Sequence, residues 1–449
     1  TPTPTPTAGC SVRERQDWVT AQMREWYLFP ETLPASPNPG ASATVQDYID
    51  ALTATARAQG RDRFFTYITS IAQENAFFSG GASAGFGVRL SYDTTARRVF
   101  IAEAFEGAPA LAAGIDRGTE ILAIGTTAAD LRTVDAIILA EGTAGVTNAL
   151  GPSTAGTVRV LRVTDAGGTR DLTVTKADYS LTPVSSRYGS RILDLGGGRR
   201  VGYLNLRTFI SSADQQLRNA YASFRAAGIS EFIVDLRYNG GGLVSTANLF
   251  GDLLGGGRRT SDIFSQTRFR PEKASNDDTH FFAPGTQSVT PVKIAFIGTG
   301  STASASELVI NGMIPFLGSN MALVGGNTYG KPVGQIALDR TACDDRLRVI
   351  AFATGNASNN TAYYTGLAGS VANTCRAADD VTLPLGDVRE ASVASAIDFL
   401  SGRACTPISA TGGQSAQSAG GGARAGSQAM ELLIPDTPTP AQREVPGLF

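Results

Sequence analysis

The residues of this sequence best suited to catalysis are a serine and a lysine, Ser304 and Lys331. Four of the 38 basic side chains are lysine, the rest are arginine, and His280 is the one histidine. Arginine keeps its proton in proteins, whereas burial can lower the pKa of a lysine until its amine is neutral. Since a Ser-His-Asp triad would have to use His280, a serine nucleophile here is expected to find another base. A lysine that follows a serine, each in a run of small residues, therefore predicts a Ser–Lys dyad.

The elements predicted around Ser304 would expose its hydroxyl group. Residues 292–297 form a predicted strand, the small-residue segment 300–307 follows, and a helix then continues through Phe316. Ser304 stands at the start of that helix. The N–H of Ala305 lies in the first helical turn, where it has no helical partner and can face a developing oxyanion.

Three further features would complete such a site. A buried strand at 231–236 leads into Gly240-Gly241-Gly242, where the backbone can approach closely and supply a second oxyanion donor. Each donor of this kind can be worth on the order of 3 kcal/mol of barrier. Gln335 follows Lys331 by four residues and could hold the amine, which must be neutral and therefore lie in a dry pocket. Glu307, one helical turn after the serine, could orient the site.

Each of these features also has a purely structural interpretation. Ser304 could be a helix cap, and Glu307 three residues later completes a capping-box pattern. Lys331 could lie on the surface, and the three glycines could form an ordinary turn. Their joint appearance in this order favours the catalytic interpretation.

Composition excludes several classes of function. At 449 residues and 42% hydrophobic content, the chain is long enough for two to four domains with sizeable cores. A net charge of −2 without a basic stripe argues against nucleic-acid binding. No apolar run reaches the roughly 18 residues that cross a bilayer. The opening residues 1–7 alternate Thr and Pro, which indicates an extended tether on an exported protein, periplasmic or extracellular, with or without a lipid anchor on a missing upstream segment.

The four cysteines of an exported chain predict two disulfides. Of the three possible pairings, Cys343–Cys375 would close one insertion and Cys10–Cys405 would pin the N-terminus to the end of the folded core. We expect this pairing; four buried thiols in a cytosolic protein are the alternative. Zinc is not expected, because the cysteines are far apart and histidine is almost absent. No metal or cofactor is predicted.

The chain divides into five predicted regions. Residues 1–10 form the tether, and 11–78 form a helical cap whose third helix begins at 63–68. Residues 79–178 are rich in short β-strands, and 179–405 alternate strands with helices as in an α/β core with parallel strands. Residues 406–449 are mostly rich in Gly, Ser, Ala and Gln and are predicted to be a flexible tail.

The β-rich region resembles a PDZ domain. The resemblance rests on Gly85-Phe86-Gly87-Val88, followed by the segment 107–118, a short helix that ends at glycine. In PDZ domains such a loop binds the terminal carboxylate of a peptide through backbone N–H groups, beside a sheet edge that accepts an added strand. The resemblance thus implies a groove at Gly85, Phe86, Gly87 and Val88 for protein C-termini.

The sequence as a whole resembles the C-terminal processing, or tail-specific, serine peptidases over about residues 80–404. The segments that carry the resemblance are, in order, the PDZ-like region, the strand 201–206, Asp235 to Gly242, Ser301 to Glu307, and Thr328 to Lys331 with Gln335. The resemblance implies a crotonase/ClpP-like α/β protease core preceded by a mainly β PDZ domain and an N-terminal helical cap.

Carried over residue by residue, the resemblance implies Ser304 as nucleophile, Lys331 as general base, Gln335 as its support, and Ala305 and Gly241 as the oxyanion hole. The choice among the three glycines stays open. Tyr238 and Gly240 depart from the more usual Asn and Pro of this turn. The stretch between Cys343 and Cys375 resembles a subgroup of exported bacterial members.

The predicted function is that of an exported serine endopeptidase, which acts on proteins or peptides with apolar C-termini. A non-hydrolytic peptide-binding scaffold and an acyl-transfer enzyme acting on a small substrate are the alternatives. The chain itself ends in Leu448-Phe449, an apolar terminus of the kind a PDZ groove accepts. The tail is therefore expected to occupy that groove or the active site, as an inhibitor or a substrate; an unstructured end is the alternative.

Overall fold

A computed structural model describes residues 8–93, 95–409 and 430–449. The α-helices of these residues are α1 (Val12–Trp26), α2 (Val45–Leu52), α3 (Ala54–Ala58), α4 (Ile71–Gly80), α5 (Pro109–Ala112), α6 (Val134–Leu150), α7 (Ala213–Ala226), α8 (Val244–Leu254), α9 (Ala305–Leu317), α10 (Ala391–Leu400) and α11 (Pro440–Glu444). No helix in this part of the chain is long and apolar enough to cross a membrane.

The strands of the same residues are β1 (Tyr67–Ser70), β2 (Ala82–Gly85), β3 (Val88–Asp93), β4 (Arg98–Ala104), β5 (Glu120–Gly125), β6 (Arg132–Thr133), β7 (Val158–Asp165), β8 (Gly168–Thr175), β9 (Ala177–Ser180), β10 (Ser190–Asp194), β11 (Arg200–Asn205), β12 (Glu231–Asp235), β13 (Ile263–Phe269), β14 (Asp278–Phe281), β15 (Lys293–Gly298), β16 (Met321–Gly325), β17 (Val333–Arg340), β18 (Asp345–Gly355), β19 (Asn373–Arg376) and β20 (Met430–Leu432).

The central sheet has six strands in the order β10-β11-β12-β15-β16-β19. β10 is antiparallel to β11, and every other neighbouring pair is parallel. Parallel strands are covered by helices on both faces, which is why β12 reads as a continuous apolar run. Leu217 of α7, Phe250 of α8 and Val309 of α9 belong to the cluster on one face. Val393 of α10 belongs to the cluster on the other.

Three loops leave this sheet at the same edge. Parallel strands carry their carboxyl ends together, which makes that edge the usual ligand site of an α/β sheet. Asp235 at the end of β12 pairs with Ile297 of β15, and Gly298 at the end of β15 pairs with Gly325 at the end of β16. The glycine turn, the Ser304 segment and the Lys331 segment follow these three strands directly.

A second, antiparallel sheet carries the strand after Lys331. Its order is β1-β18-β13-β14, with β17 also paired to β18. The N-terminal helices α1 and α2 pack against it, and one buried cluster joins Met23 and Ile49 to Val333 and Ile350. The helical cap therefore packs against the sheet to which β17 belongs.

The third helix of the cap was predicted at the wrong position. Residues 63–66 form an irregular turn, with Phe64 at a φ of 62°, and β1 then pairs with β18. The buried carboxylate of Asp62 accepts the N–H groups of Phe65 at 2.7 Å and Thr66 at 3.2 Å, which fixes the turn. The next helix, α4, begins at Ile71.

A third sheet of seven strands has the order β20-β3-β4-β5-β7-β8, with β6 paired to β5. β2 and β9 form a separate antiparallel pair. The strands predicted between residues 87 and 175 are present in this sheet. Helix α6 was not predicted from the sequence; it is interrupted at Gly142 (φ 68°). It buries Ile137 and Val146 but exposes Leu139, so it lacks a clear apolar stripe.

The predicted disulfide pairing is wrong, although all four cysteines are paired. The bonds join Cys10 to Cys343 and Cys375 to Cys405, not Cys343 to Cys375 and Cys10 to Cys405. Cys343 lies in the turn between β17 and β18, near the start of α1, whereas Cys375 lies on β19 of the central sheet. The two therefore belong to different sheets. The segment containing Cys405 runs beside β19 instead, as the hydrogen bond from Arg376 N to the Thr406 carbonyl shows (2.7 Å).

The prediction of a flexible tail over 406–449 is wrong for its last twenty residues. Residues 410–429 lie outside the described residues. Residues 430–449 contain β20, which extends the third sheet at β3, and α11. Val445, Leu448 and Phe449 are at most 3% exposed. The order of this segment comes from contacts with distant parts of the chain, which local composition does not reveal.

Candidate active site

Ser304 stands on a strained turn between β15 and α9. Its φ of 54° and ψ of −115° are costly for a residue with a Cβ, and such strain is common where an active site fixes a side chain. The side chain is partly exposed. The Ser304 N–H donates to Glu307 Oε2 at 3.0 Å. The turn thus presents the hydroxyl at the start of the helix, as the sequence predicted.

Lys331 lies two residues before β17, and its amine donates to Gln335 Oε1 at 3.3 Å. Gln335 in turn donates to the carbonyl of Phe65, whose ring lies 5.0 Å from the amine. Burial lowers the pKa of Lys331 from the ordinary value of 10.5, and the carboxylates of Glu444 and Asp62 oppose that shift only in part. The predicted contact between Gln335 and the amine is present.

Glu307 ties the serine segment to the lysine segment. It is fully buried. Its Oε2 accepts the N–H of Ser304 at 3.0 Å and the N–H of Lys331 at 2.8 Å, and its Oε1 accepts the N–H of Gly330 at 2.7 Å. Burial raises the pKa of this carboxyl, and these backbone bonds act against the rise. One carboxylate oxygen therefore accepts the backbone N–H groups of both candidate catalytic residues.

The glycine turn lies directly against the nucleophile. A Cβ placed on Gly241 would come within 2.8 Å of the Ser304 Cβ and 3.1 Å of the Ala305 N, so this position has no room for a side chain. Gly241 also has a φ of 119°. Its N–H donates to the Asn239 side chain at 3.0 Å, whereas the N–H of Gly240 donates to the Glu444 carbonyl at 3.0 Å. In this arrangement the two glycine donors are therefore both occupied.

A buried arginine under the turn was missed by the sequence analysis. Arg237 is fully buried and forms ion pairs with Asp235 at 2.9 Å, Glu390 at 2.8 Å and Asp379 at 3.2 Å. Asp235 ends β12, while the other two acids lie more than 140 residues later in the chain. This network fixes the start of the glycine turn. A charged residue directly after a buried strand is the one local sign of it.

The lone histidine takes no part in this site. His280 Nε2 lies 3.0 Å from Asp252 Oδ1, and its ring packs against Phe264. It is on β14, at the edge of the second sheet. This arrangement agrees with the expectation that the serine uses another base.

The loop Gly85-Phe86-Gly87-Val88 binds the carboxyl terminus of the chain itself. The N–H groups of Gly87 and Val88 lie 2.8 and 3.2 Å from the Phe449 O, and the Phe449 N–H donates to the Val88 carbonyl at 2.8 Å. A Cβ on Gly85 would come within 2.7 Å of the Phe449 carboxyl carbon. Phe86 is buried in the same cluster as the Phe449 ring. All four predicted groove residues therefore border this terminus.

Arg89 of β3 connects the predicted groove with the glycine turn. Its side chain is 1% exposed. Nη1 donates to the carbonyl of Tyr238 at 2.6 Å and to that of Pro446 at 2.8 Å. Tyr238, with a φ of 64°, lies two residues before the first of the three glycines. A single guanidinium thus holds both the terminal segment and the turn that leads to Gly241, a role the sequence analysis did not predict.

Comparison with known proteins places these residues in a family. Residues 200–358 match the model of peptidase family S41, and residues 14–67 match the model of the peptidase S41 N-terminal domain. A stretch of 171 residues is 27% identical to carboxyl-terminal-processing peptidase 2, chloroplastic, of Arabidopsis thaliana. This match covers 36% of the present chain and 30% of the Arabidopsis protein, so the chain spans less than a third of that curated relative.

The fold is similar to that of a candidate S41 protease from Bacteroides fragilis. The TM-score is 0.66 at 22% identity, over 90% of this chain and 99% of the other. This likeness confirms the predicted α/β fold class. Gly241, Ser304 and Lys331 all lie within the stretch matched by the peptidase model. The chain therefore carries the peptidase domain and the N-terminal domain of peptidase family S41, which confirms the family recognised from its motifs.

Proposed function

We propose that this chain is an exported serine endopeptidase that binds the C-termini of its substrates and hydrolyses peptide bonds with Ser304 and Lys331. The observation that carries the proposal is the shared contact of Ser304 N and Lys331 N with one oxygen of buried Glu307. The lowered pKa of Lys331 supports its role as base, because burial favours the neutral amine. The name of the Arabidopsis relative supports the same class of reaction.

The reaction would proceed through an acyl-enzyme. Ser304 Oγ attacks the scissile carbonyl while its proton passes to Lys331 Nζ, and the N–H groups of Ala305 and Gly241 stabilise the oxyanion. Lys331 then protonates the departing amine as the C–N bond breaks. Water, deprotonated by the same lysine, hydrolyses the ester at Ser304. Since Gly241 N–H donates to Asn239 here, this turn has to release its glycine N–H for the oxyanion hole to form.

The groove at Gly85 to Val88 would select the substrate. We assign residues 79–178 to a PDZ domain that binds apolar protein C-termini by adding a strand to β3. The contacts made there by Phe449 support this assignment, since they combine carboxylate capture with strand addition. Two disulfides support an oxidising compartment outside the cytosol. A periplasmic or extracellular location, with or without a lipid anchor, is part of the proposal.

The test is cleavage of an unfolded protein with an apolar C-terminus. The intact chain is compared with Ser304→Ala, Lys331→Ala and the control Lys293→Ala, which alters a lysine on β15 at the other end of the sheet. We expect loss of cleavage by at least about 10³-fold in the first two variants and an unchanged rate in the control. Cleavage retained in Ser304→Ala would refute the assignment of the nucleophile.

A further inference from the structure

The last three residues of the chain are bound as a peptide ligand would be. Besides the contacts of Phe449, the N–H of Leu90 donates to the Gly447 carbonyl at 2.8 Å. The Leu448 carbonyl accepts from Gln442 Nε2 at 2.8 Å. β20 pairs with the remaining part of β3, from Ser91 to Asp93. The whole edge of β3 that could accept a substrate strand is therefore occupied by the chain itself.

The residues before this terminus bury apolar surface under the groove. Val445 is 0% exposed and Leu448 2% exposed. They belong to one cluster with Phe77 of α4, Phe105 and Ile210. These contacts link α4, the third sheet and the peptidase domain through the tail. They show that the tail is held by side-chain packing as well as by its carboxylate.

The same segment covers the catalytic cleft. The Glu444 carbonyl accepts the N–H of Gly240 at 3.0 Å, and the Glu444 side chain acts electrostatically on Lys331. A cavity of about 600 Å³ is lined by Phe65 and Lys331 together with tail residues including Leu433. A substrate strand entering this cleft would meet the tail at the glycine turn.

We propose that residues 430–449 are an intramolecular ligand that blocks both the C-terminus groove and the catalytic cleft until a substrate C-terminus displaces them. The activity expected after displacement rests on the proposed function, whereas the binding of the tail does not depend on it. The groove would accept a free carboxylate on a large apolar residue, with leucine before it. A tethered competitor acts at an effective concentration in the millimolar range, so a free peptide of equal affinity would compete poorly.

The first test measures binding in a Ser304→Ala background, where no peptide is cut. A fluorescent peptide with the sequence of residues 444–449 and a free carboxylate is titrated by polarisation against three chains. These are the full chain, a chain ending at Ser409, and a full chain extended by two glycines after Phe449. The added residues move the carboxylate away from Gly87 and Val88, which weakens the hold on the whole tail without removing any of its residues.

We expect the peptide to bind the shortened and the extended chains at least about 10-fold more tightly than the full chain, as removal of a tethered competitor predicts. A peptide amidated at its C-terminus should bind none of them. Equal affinity for the full and extended chains, or no binding to the extended chain, would overturn the proposal. If the shortened chain fails to fold, the extended chain alone decides.

The second test separates this proposal from the proposed function. A fluorophosphonate probe is allowed to react with Ser304 in the full and in the extended chain. Faster labelling of the extended chain, by about 10-fold, is the result expected from an uncovered cleft. Labelling at equal rates would contradict the blocking of the cleft. If neither chain is labelled, the nucleophile assignment and the coverage of the cleft both fail, while the polarisation result still decides whether the tail is a ligand of the groove.

Discussion

Lys331 has to be neutral to act as the proposed base, and the burial that lowers its pKa also lowers the stability of the fold. Replacement by methionine removes the buried amine but keeps a long apolar side chain. We expect Lys331→Met to lose at least about 10³-fold in kcat/KM and to raise the free energy of unfolding at neutral pH. The matched variant Lys293→Met should keep full activity.

The pH dependence of this stability gain follows from the direction of the shift. The pKa of Lys331 is lowered below 10.5 in the folded chain, so the unfolded chain binds the extra proton between the two values and stability rises with pH there. The full loss of stability caused by burying the charged amine is present below the pKa that Lys331 has in the folded chain. The gain in Lys331→Met, measured by urea unfolding at several pH values, should therefore be largest at low pH and disappear above about pH 10.5. A gain that is independent of pH would contradict this origin.

Glu307 is expected to act as a positioning residue, because its two oxygens accept three backbone N–H groups. In Glu307→Gln one carboxylate oxygen is replaced by an amide NH₂ group, so that a hydrogen-bond donor faces a backbone N–H group that has lost its acceptor. We expect a loss of about 1–3 kcal/mol in the free energy of unfolding and a fall in kcat of about 10²-fold with little change in KM. Glu272→Gln, at a carboxylate that is 71% exposed, is the control. A fall in apparent kcat no larger than the fall in the folded fraction, measured by circular dichroism under the assay conditions, would indicate general unfolding instead.

At the scale of elements, the sequence predicted well which edge of the central sheet carries the candidate site. Strands β12 and β15 are short apolar runs that end in glycine-rich or serine-rich turns, and such runs are recognisable because parallel strands are buried on both faces. The order of strand, turn and helix then brings Gly241, Ser304 and Lys331 to one edge. This part of the site depends on local pattern and on a general rule of α/β sheets.

The contacts that support this edge could not be predicted in the same way. Arg237 forms an ion pair with Glu390, and Cys10 forms a disulfide with Cys343, although the partners are far apart in the chain. Nothing near these residues in the sequence specifies the partner. The tail was predicted to be flexible because most of it is rich in Gly, Ser, Ala and Gln. The apolar residues at its end did indicate a place in the groove, where Phe449 is held by a loop more than 350 residues away. The ion pair and the disulfide, by contrast, depend on partners in space that leave no periodic signal.

Arg63 of the N-terminal domain contacts the lysine segment, and its contribution can be measured. Arg63 Nη2 donates to the Tyr329 carbonyl at 2.9 Å and also to that of Gly330, with its guanidinium 4.2 Å from the Tyr329 ring centre. We expect Arg63→Ala to lower kcat/KM about 10-fold and stability by about 1.5–3 kcal/mol, as for hydrogen bonds from a charged donor. Both losses are expected because the turn before Lys331 would no longer be held by the Arg63 side chain.

The neighbouring Arg61 is the control for this prediction. It forms an ion pair with Glu31 at 2.9 Å, but the two side chains are 42% and 62% exposed, and exposed pairs contribute at most about 1 kcal/mol. Arg61→Ala should leave the rate unchanged. If Arg63→Ala also leaves it unchanged, the N-terminal domain does not position the lysine through this contact.

At the scale of the whole molecule, a buried ionic cluster joins the third sheet to the peptidase domain. Arg207 lies after β11 and forms ion pairs with Glu103 at 2.7 Å and with Glu106 at 2.8 Å, both at or after the end of β4. The Arg207 and Glu103 side chains are 1% and 3% exposed. Removing one member of such a cluster leaves an uncompensated buried charge, which costs about 3–5 kcal/mol. Arg207→Met should lose stability on this scale at neutral pH, measured by urea unfolding.

The loss should also depend on pH in a defined direction. Burial raises the pKa of Glu103, but Arg207 and Arg89 outweigh it and hold the pKa below the ordinary value of 4.5; the pKa of Glu106 is lowered for a similar reason. The stability that these pairs supply is present above pH 4.5 and is lost as the pH falls through the folded values. The difference between the intact chain and Arg207→Met should thus be constant near neutrality and shrink in acid. Arg162→Met removes an exposed pair with Asp171 and should leave stability nearly unchanged at either pH. A similar loss in both variants would mean that the buried cluster does not hold the two parts of the molecule together.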